Sequence, residues 1–287
     1  MGAPERARAG DGSPLATVPE VCAHELSQGM AAEADTAHRI FRNEQLHRLQ
    51  VRFPWFFGYA FAPLAFYLGQ GWYGRSALTW LSRLSPLLAQ AGASEAARQA
   101  HATTAASLFI FHFVRRAVEV VYVNDYTGTW NRDSRLELMY YLAWGFLAGS
   151  SAGERALALH GVASLGWRIA GTVLFAAGEC GNAWCHLELR RLRAARQALG
   201  SHYYAIPSRG PFAFIASPHY SFELLTWFGF WVHGGFDAVG LLLLVMSVTA
   251  MGAFASDRHA KYVALFQAGD RSAGDPRARW KMVPLLW

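Results

Sequence analysis

Apolar residues in this chain come in long blocks broken by short polar stretches, not in the alternation of half-buried strands. The blocks run over about 53–69, 76–92, 102–123, 138–152, 158–180, 212–232 and 237–256. A helix that crosses a bilayer needs roughly 20 mostly apolar residues, so each block is a candidate span. The last, around FDAVGLLLLVMSVTAMGAFA, carries no Lys, Arg or Glu and only one Asp, at its edge. The second and fourth are short enough to be tilted, interfacial or re-entrant. The pattern predicts an all-α fold, a polytopic membrane helix bundle with six or seven transmembrane helices. Residues 1–35 are polar and rich in Gly, Pro and Arg, and are expected to be a disordered N-terminal segment. Residues 36–52 carry Arg39, Arg42, Arg48 and Arg52 and lead into Trp55, Phe56 and Phe57, as in a basic interfacial helix. Residues 53–287 form the predicted transmembrane domain.

Charge turns this pattern into a topology. One set of segments holds Arg115, Arg116, Arg132 and Arg135 after the third block, then Arg190, Arg191, Arg193, Arg196 and Arg209 after the fifth. The tail adds Arg258, Lys261, Arg271, Arg277, Arg279 and Lys281. The opposite connections hold Arg155 alone. Such a bias marks the cytosolic face. Arg39 to Arg52 do not fit a simple seven-helix arrangement, so either the first or second block does not cross or this segment lies on the surface.

Composition supports the same class. Apolar and aromatic residues make up 53% of the chain and charged residues 16%, against roughly 25% charged in soluble domains. The net charge of +6 does not indicate nucleic acid, because the basic residues lie between apolar blocks and not on one soluble face. Cys22, Cys180 and Cys185 match no zinc spacing and no disulfide framework. Cys180 and Cys185 are expected as packed thiols.

Ionisable groups in or beside spans are costly and mark function by default. Four clusters stand out. In His112-Phe-Val-Arg115-Arg116-Ala-Val-Glu119, Arg115 and Glu119 share a helix face with His112 one turn before; alone, this is also what an intrahelical ion pair looks like. Asn182, His186 and Arg193 line one side of a helix leaving the membrane, where the arginines also suit a snorkelling basic end. In Ser217-Pro218-His219-Tyr220-Ser-Phe-Glu223, Pro218 breaks the 212–232 block, and His219 and Glu223 are spaced i, i+4. Arg258, His259 and Tyr262 close the last span, where His and Tyr also serve as interfacial anchors. No dinucleotide fingerprint, P-loop or His-Glu-x-x-His motif is present. The histidines show no metal-ligand spacing, so no metal is expected. What remains is a cytosol-facing pocket of Arg, Asn, His, Tyr and Glu, suited to a phosphorylated cofactor with Tyr or His as proton donor.

In order, HFVRRxxExxYV, GNxxxHxxLRxLR, YxIP, SPHYxxExxxW, HxxYxxxF and a terminal RxxxxP make residues 105–287 resemble the C-terminal domain of the steroid 5α-reductase superfamily. Within it, the GN-xxx-H and E-xxx-W strings look most like very-long-chain trans-2-enoyl-CoA reductases. This chain has Arg115 where that branch has Lys and His219 where Asn is usual. The resemblance implies an NADPH-dependent oxidoreductase acting on a CH-CH group, reducing trans-2-enoyl-CoA to saturated acyl-CoA in very-long-chain fatty acid elongation. The alternatives it implies are a 3-oxo-5-alpha-steroid 4-dehydrogenase or a polyprenol reductase. Matched motif by motif, Tyr220 is implied as the catalytic acid, with Arg115 and Glu119 as essential pocket residues. Asn182, Arg193, Tyr204, His219, Glu223, His259, Tyr262 and Arg279 are implied as NADPH-binding positions. The partners implied are a lipid substrate and other fatty acid elongation enzymes, with no nucleic acid, in an integral membrane enzyme of the endoplasmic reticulum whose cofactor face is cytosolic.

Two other classes compete. A membrane methyltransferase of the isoprenylcysteine carboxyl type carries a His-Pro-Tyr-like string, but here the order is Pro218-His219-Tyr220 and no Glu-Glu pair precedes the tail. A non-enzymatic membrane scaffold would hold the same spans without binding a nicotinamide.

Overall fold

The computed structural model describes residues 59–69, 89–90, 93–123, 132–156, 162–198, 205–271 and 273–284. The chain divides into two units, Met1–Leu49 and Gln50–Trp287, and every described residue belongs to the second. The expected disordered segment and basic interfacial helix lie outside the described residues, as do Tyr204 and Cys22.

Six α-helices make up the described structure: α1 (Tyr59–Gly69), α2 (Glu95–Tyr122), α3 (Arg132–Ala156), α4 (Leu165–Ala198), α5 (Pro218–His233) and α6 (Ala238–Gln267). Strands β1 (Ala89–Gln90) and β2 (Val162–Ala163) pair antiparallel. They fall at the end of the second predicted span and inside the fifth, so helix does not extend to those residues. Among the described residues one helix, α6, is long and apolar enough to cross a membrane by length and composition. At 1.5 Å per residue its 30 residues reach about 45 Å.

Three helix starts have a local cause. Ser94 caps α2, its side chain accepting from Ala97 N at 3.2 Å. Asp237 caps α6, accepting from Gly240 N at 2.8 Å. Pro218 sits in the first turn of α5, where its missing N–H is not needed. The chain from 205 to 217 therefore forms no long helix, only a 3-10 turn at Gly210–Ala213. The expected break at Pro218 is present, and α5, the helix of the sixth predicted span, begins there, not at 212. Between α5 and α6 the turn is tight. Phe236 takes a left-handed φ of 64°, with its ring held between Trp231 and Trp167 at centroid distances of 4.9 and 5.5 Å.

Small residues set the packing. α4 and α5 form the most extensive helix pair. A Cβ on Gly171 would come within 2.6 Å of Gly229 O, and one on Gly229 within 2.7 Å of Gly171 O. Farther along, Gly178 abuts Thr226 and Gly181 abuts the Phe222 ring. The two backbones run antiparallel in direct contact, as small-residue helix interfaces in membranes do. The pair α1 and α3 uses the same device in parallel. Gly145 lies against Ala62, Gly149 against Phe66, and Gly69 against Phe146 and Ser150. The Gly145-Phe-Leu-Ala-Gly149 string that makes this contact is a GxxxG motif inside the fourth predicted span. Phe66, Phe109, Phe113, Trp144 and Trp227 fill the core among α1, α2, α3 and α5.

The polarity of α2 is inverted relative to a soluble helix. Its inner face buries His101, His112, Arg116 and Glu119. Its outer face exposes Ile110, Phe111, Val114, Val118 and Val121. α6 likewise exposes Leu241, Leu242, Val245, Met246 and Phe254. Contiguous apolar faces of this kind are rare on soluble monomers and mark a membrane or partner surface.

Candidate functional site

The site grows from two carboxylates and two guanidiniums that the core contains instead of excluding. The charge pattern alone groups Arg115 and Arg116 with the cytosolic segments. Both lie within α2, Arg116 only 7% exposed. Arg115 pairs with Glu119 one turn on, and Arg116 reaches the other Glu119 oxygen at 2.7 Å. Glu119 thus bridges the two cations, more than the intrahelical pair legible from spacing. From α4, Glu179 accepts from Arg115 Nε at 2.5 Å and from His112 Nδ1 at 2.7 Å.

The network continues across the bundle. Arg116 Nη1 donates to His186 Nε2 at 2.9 Å, and its Nη2 to the Tyr59 hydroxyl at 3.2 Å. The His186 ring meets His219 edge-on at 5.6 Å between centroids, and His219 lies 4.1 Å from the Tyr220 ring. Arg258 of α6 sits over the face of Tyr220, 5.7 Å from its centroid. Asn182 joins α4 to the start of α5 by donating to the His219 carbonyl at 2.8 Å, with Glu223 Oε2 at 3.4 Å. Arg115, Glu119, Asn182, His219, Tyr220 and Glu223 therefore form one contiguous polar seam. Both ring nitrogens of His219 and the Asn182 Oδ1 are buried with no hydrogen-bond partner among the described residues. A buried polar group without a partner costs about 1–3 kcal/mol.

Three other predicted site residues, His259, Tyr262 and Arg279, collect at a second locus, where the tail folds back. Trp280 N donates to Phe214 O at 2.9 Å, Ala216 N to Trp280 O at 2.7 Å, and Ser217 N to Lys281 O at 3.0 Å. Arg279 holds this junction through Pro207 O at 2.5 Å and through Ala273 O. Burial pushes its pKa down, and the Tyr262 and Asp275 groups oppose that shift. His259 shares a hydrogen bond with Pro276 O at 3.0 Å, and Tyr262 is buried against Ile206 and Ala216. The tail is braced outside by Asp275, whose carboxyl is held at about 2 by hydrogen bonds from Arg277. Arg193, on the last turns of α4, donates to Val123 O at 3.0 Å.

Sequence reading did not single out Glu179, Arg116 or Tyr59. A carboxylate inside the apolar run LFAAGEC was the available signal for Glu179. Tyr59 could not be found without the fold, because an aromatic in a span is ordinarily core. Of the two cysteines expected as packed thiols, Cys185 is buried and Cys180 is exposed.

Helices in glycine-mediated contact, with exposed apolar faces on α2 and α6 and an ionic network within, define a helical protein with a polar internal site. Residues 132–287, more than half of the chain, match the family described as 3-oxo-5-alpha-steroid 4-dehydrogenase, and the chain belongs to that family. The chain is also similar to very-long-chain enoyl-CoA reductase of Dictyostelium discoideum, at 28% identity over 179 residues covering 62% of this chain and 56% of that protein. Polyprenal reductase 1 of Oryza sativa subsp. indica is 32% identical over 124 residues, 42% of this chain and 32% of that protein. The chain thus matches only about half of the first relative's length and a third of the second's.

Proposed function

We propose that this protein is an integral membrane, NADPH-dependent reductase of a conjugated carbon–carbon double bond in a lipid, with trans-2-enoyl-CoA as the leading substrate. The observation that carries the reading is Tyr220, a phenol at the first turn of α5 with a guanidinium over its face and the buried seam behind it. A phenol hydroxyl so placed can donate a proton or a hydrogen bond to charge that develops on a substrate.

The donor set fits a nicotinamide. A carboxamide offers both a donor and an acceptor, matching the unpartnered Asn182 oxygen and the two unpartnered His219 nitrogens. Arg193, with Arg190 and Arg191 on the same end of α4, has the charge and geometry for the phosphates of NADPH. Tyr204, Glu223, His259, Tyr262 and Arg279 complete the proposed cofactor positions, the last three by shaping the tail junction. When bound, NADPH supplies a hydride.

The chain's own part concerns the electron pair and the proton. Breaking the α,β double bond with hydride at the β-carbon places negative charge on the carbonyl oxygen. Arg115 and Tyr220 stabilise that oxygen in a site shielded from water, where such donors act most strongly. The α-carbon then takes a proton, for which Tyr220 is the donor. Glu119 keeps Arg115 and Arg116 charged and in place. The exposed apolar faces of α2 and α6 support a bundle set in a bilayer with six or seven spans, which would bring the lipid tail to the site from the side. We place it in the endoplasmic reticulum with the basic ends of α4 and α6 cytosolic, beside other fatty acid elongation enzymes.

The likeness to a polyprenal reductase favours a second reading, in which the lipid is a polyprenyl carbonyl compound; the family description keeps an enone steroid as a third. Purified protein in nanodiscs is expected to consume NADPH with a trans-2-enoyl-CoA and to return the saturated thioester. Consumption only with polyprenal or with an enone steroid would transfer the assignment to that substrate. No consumption with any of the three would overturn it.

A further inference from the structure

Glu179 lies in mid-helix on α4, its side chain 3% exposed. Its two oxygens are taken by two side chains of α2: Oε1 accepts from His112 Nδ1 at 2.7 Å and Oε2 from Arg115 Nε at 2.5 Å. Charge balance makes this carboxylate necessary. Arg116 brings a buried positive charge and Arg115 a largely buried one, its side chain 13% exposed, and Glu119 alone would leave one of them uncompensated, a situation that is strongly unfavourable away from water. Geometry gives it a second task. A guanidinium held only by Glu119, at Nη1, can swing about that contact. With Nε fixed from a different helix the plane of the group is set, because its five N–H bonds form one rigid fork. The donor left over is Arg115 Nη2, which is buried and has no hydrogen-bond partner among the described residues. His112 is fixed at the same time, since a carboxylate can only accept and the imidazole must carry its proton on Nδ1.

We infer that Glu179 is a positioning residue of the reductase site: it fixes Arg115 across the α2–α4 contact so that Nη2 is presented to the carbonyl oxygen of the lipid substrate. The inference rests on the reductase reading above. It makes Arg115 act as a preset oxyanion donor and not as one that must reorganise during the reaction. The substrate class that follows is one with a carbonyl oxygen conjugated to the double bond, as in an enoyl thioester, an enone or an enal.

The test uses the full chain in nanodiscs with Glu179→Gln and Glu179→Asp. With NADPH and trans-2-hexadecenoyl-CoA, or whichever of the three lipids the wild type consumes, Glu179→Gln should lower kcat roughly 100-fold, the loss that misplacing a reacting group produces. KM for NADPH should hold, and Glu179→Asp, which keeps the charge, should recover part of the rate. A parallel measurement needs no substrate. The Nε–H NMR signal of Arg115 in arginine-labelled protein, assigned by its loss in Arg115→Lys, should shift in Glu179→Gln. Wild-type kcat in Glu179→Gln, or equal loss in both variants, overturns the positioning role. An unmoved Arg115 signal overturns it independently. Wild-type protein that consumes NADPH with none of the lipids overturns the reductase reading instead, and the NMR signal then decides whether Glu179 holds Arg115.

Discussion

Arg116 on α2 and His186 on α4, 70 residues apart in sequence, are joined by a single hydrogen bond of 2.9 Å from Nη1 to Nε2. A guanidinium has no acceptor atom, so His186 Nε2 must be the bare nitrogen and its proton must sit on Nδ1. The same Arg116 nitrogen also serves Glu119 at 2.7 Å. Replacing Arg116 with Leu leaves two buried carboxylates, Glu119 and Glu179, sharing Arg115, so one buried negative charge loses its compensation. The expected loss is about 3–5 kcal/mol, read as a lowered unfolding midpoint in detergent. A variant as stable as the wild type would show that the pair does not hold the bundle.

Tyr220, the proposed proton donor, lies against His219 and under the Arg258 guanidinium. Tyr220→Phe keeps the ring and removes only the hydroxyl. Turnover should fall by roughly 10²–10⁴-fold, the usual worth of a positioned general acid, while the affinity for NADPH stays close to wild type. Retained turnover would assign the proton to another group.

Gly171 tests the packing that brings the site together. Any Cβ there would meet Gly229 O at 2.6 Å and His233 Cα at 2.7 Å, both backbone atoms that cannot turn aside. Gly171→Val should therefore push α4 from α5 and destabilise the protein by about 1–3 kcal/mol or more. Gly166 is the control: nothing but Ser164 Oγ at 4.0 Å lies near it, so Gly166→Ala should leave the melting temperature nearly unchanged. Equal effects from the two would count against a glycine-set contact.

The tail brace predicts a titration. Arg277 holds the Asp275 carboxyl at about 2 by hydrogen bonds, one of them from its side chain at 3.0 Å. Since the folded pKa lies below the ordinary carboxylate value, the stabilisation is present above about 3.9 and fades as pH falls toward 2. The group is exposed, so the contribution to stability is small and salt-sensitive. NMR should show Asp275 ionised at pH 3 in the wild type and largely protonated there in Arg277→Ala.

The chemistry of the site was partly legible in one dimension. Arg115 and Glu119 read as a pair because i, i+4 spacing on a helix is enough to make them meet, and they do. Pro218 read as a break because proline's missing N–H fits only the first turn, and α5 starts there. Glu179 was passed over because its partners, His112 and Arg115, lie 67 and 64 residues away, and no local spacing carries that information. Arg116 was read as loop charge because a basic residue beside an apolar block ordinarily faces water. Here the helix runs past it, and Glu119 and His186 supply what water would.

The sequence by itself determined that the chain is mainly helical, that the 212–232 block breaks at Pro218, and which family its second half joins, since these depend on local period, composition and ordered motifs. Only the tertiary structure decided which charges neutralise one another. Glycine contacts between α4 and α5 and between α1 and α3 set how closely the helices approach. The α4–α5 approach places His219 beside His186, and the packing of α4 on α2 places Glu179 on Arg115 and His186 on Arg116. Burying a charge is unfavourable until its partner arrives from another helix, so the site exists only once the bundle has closed.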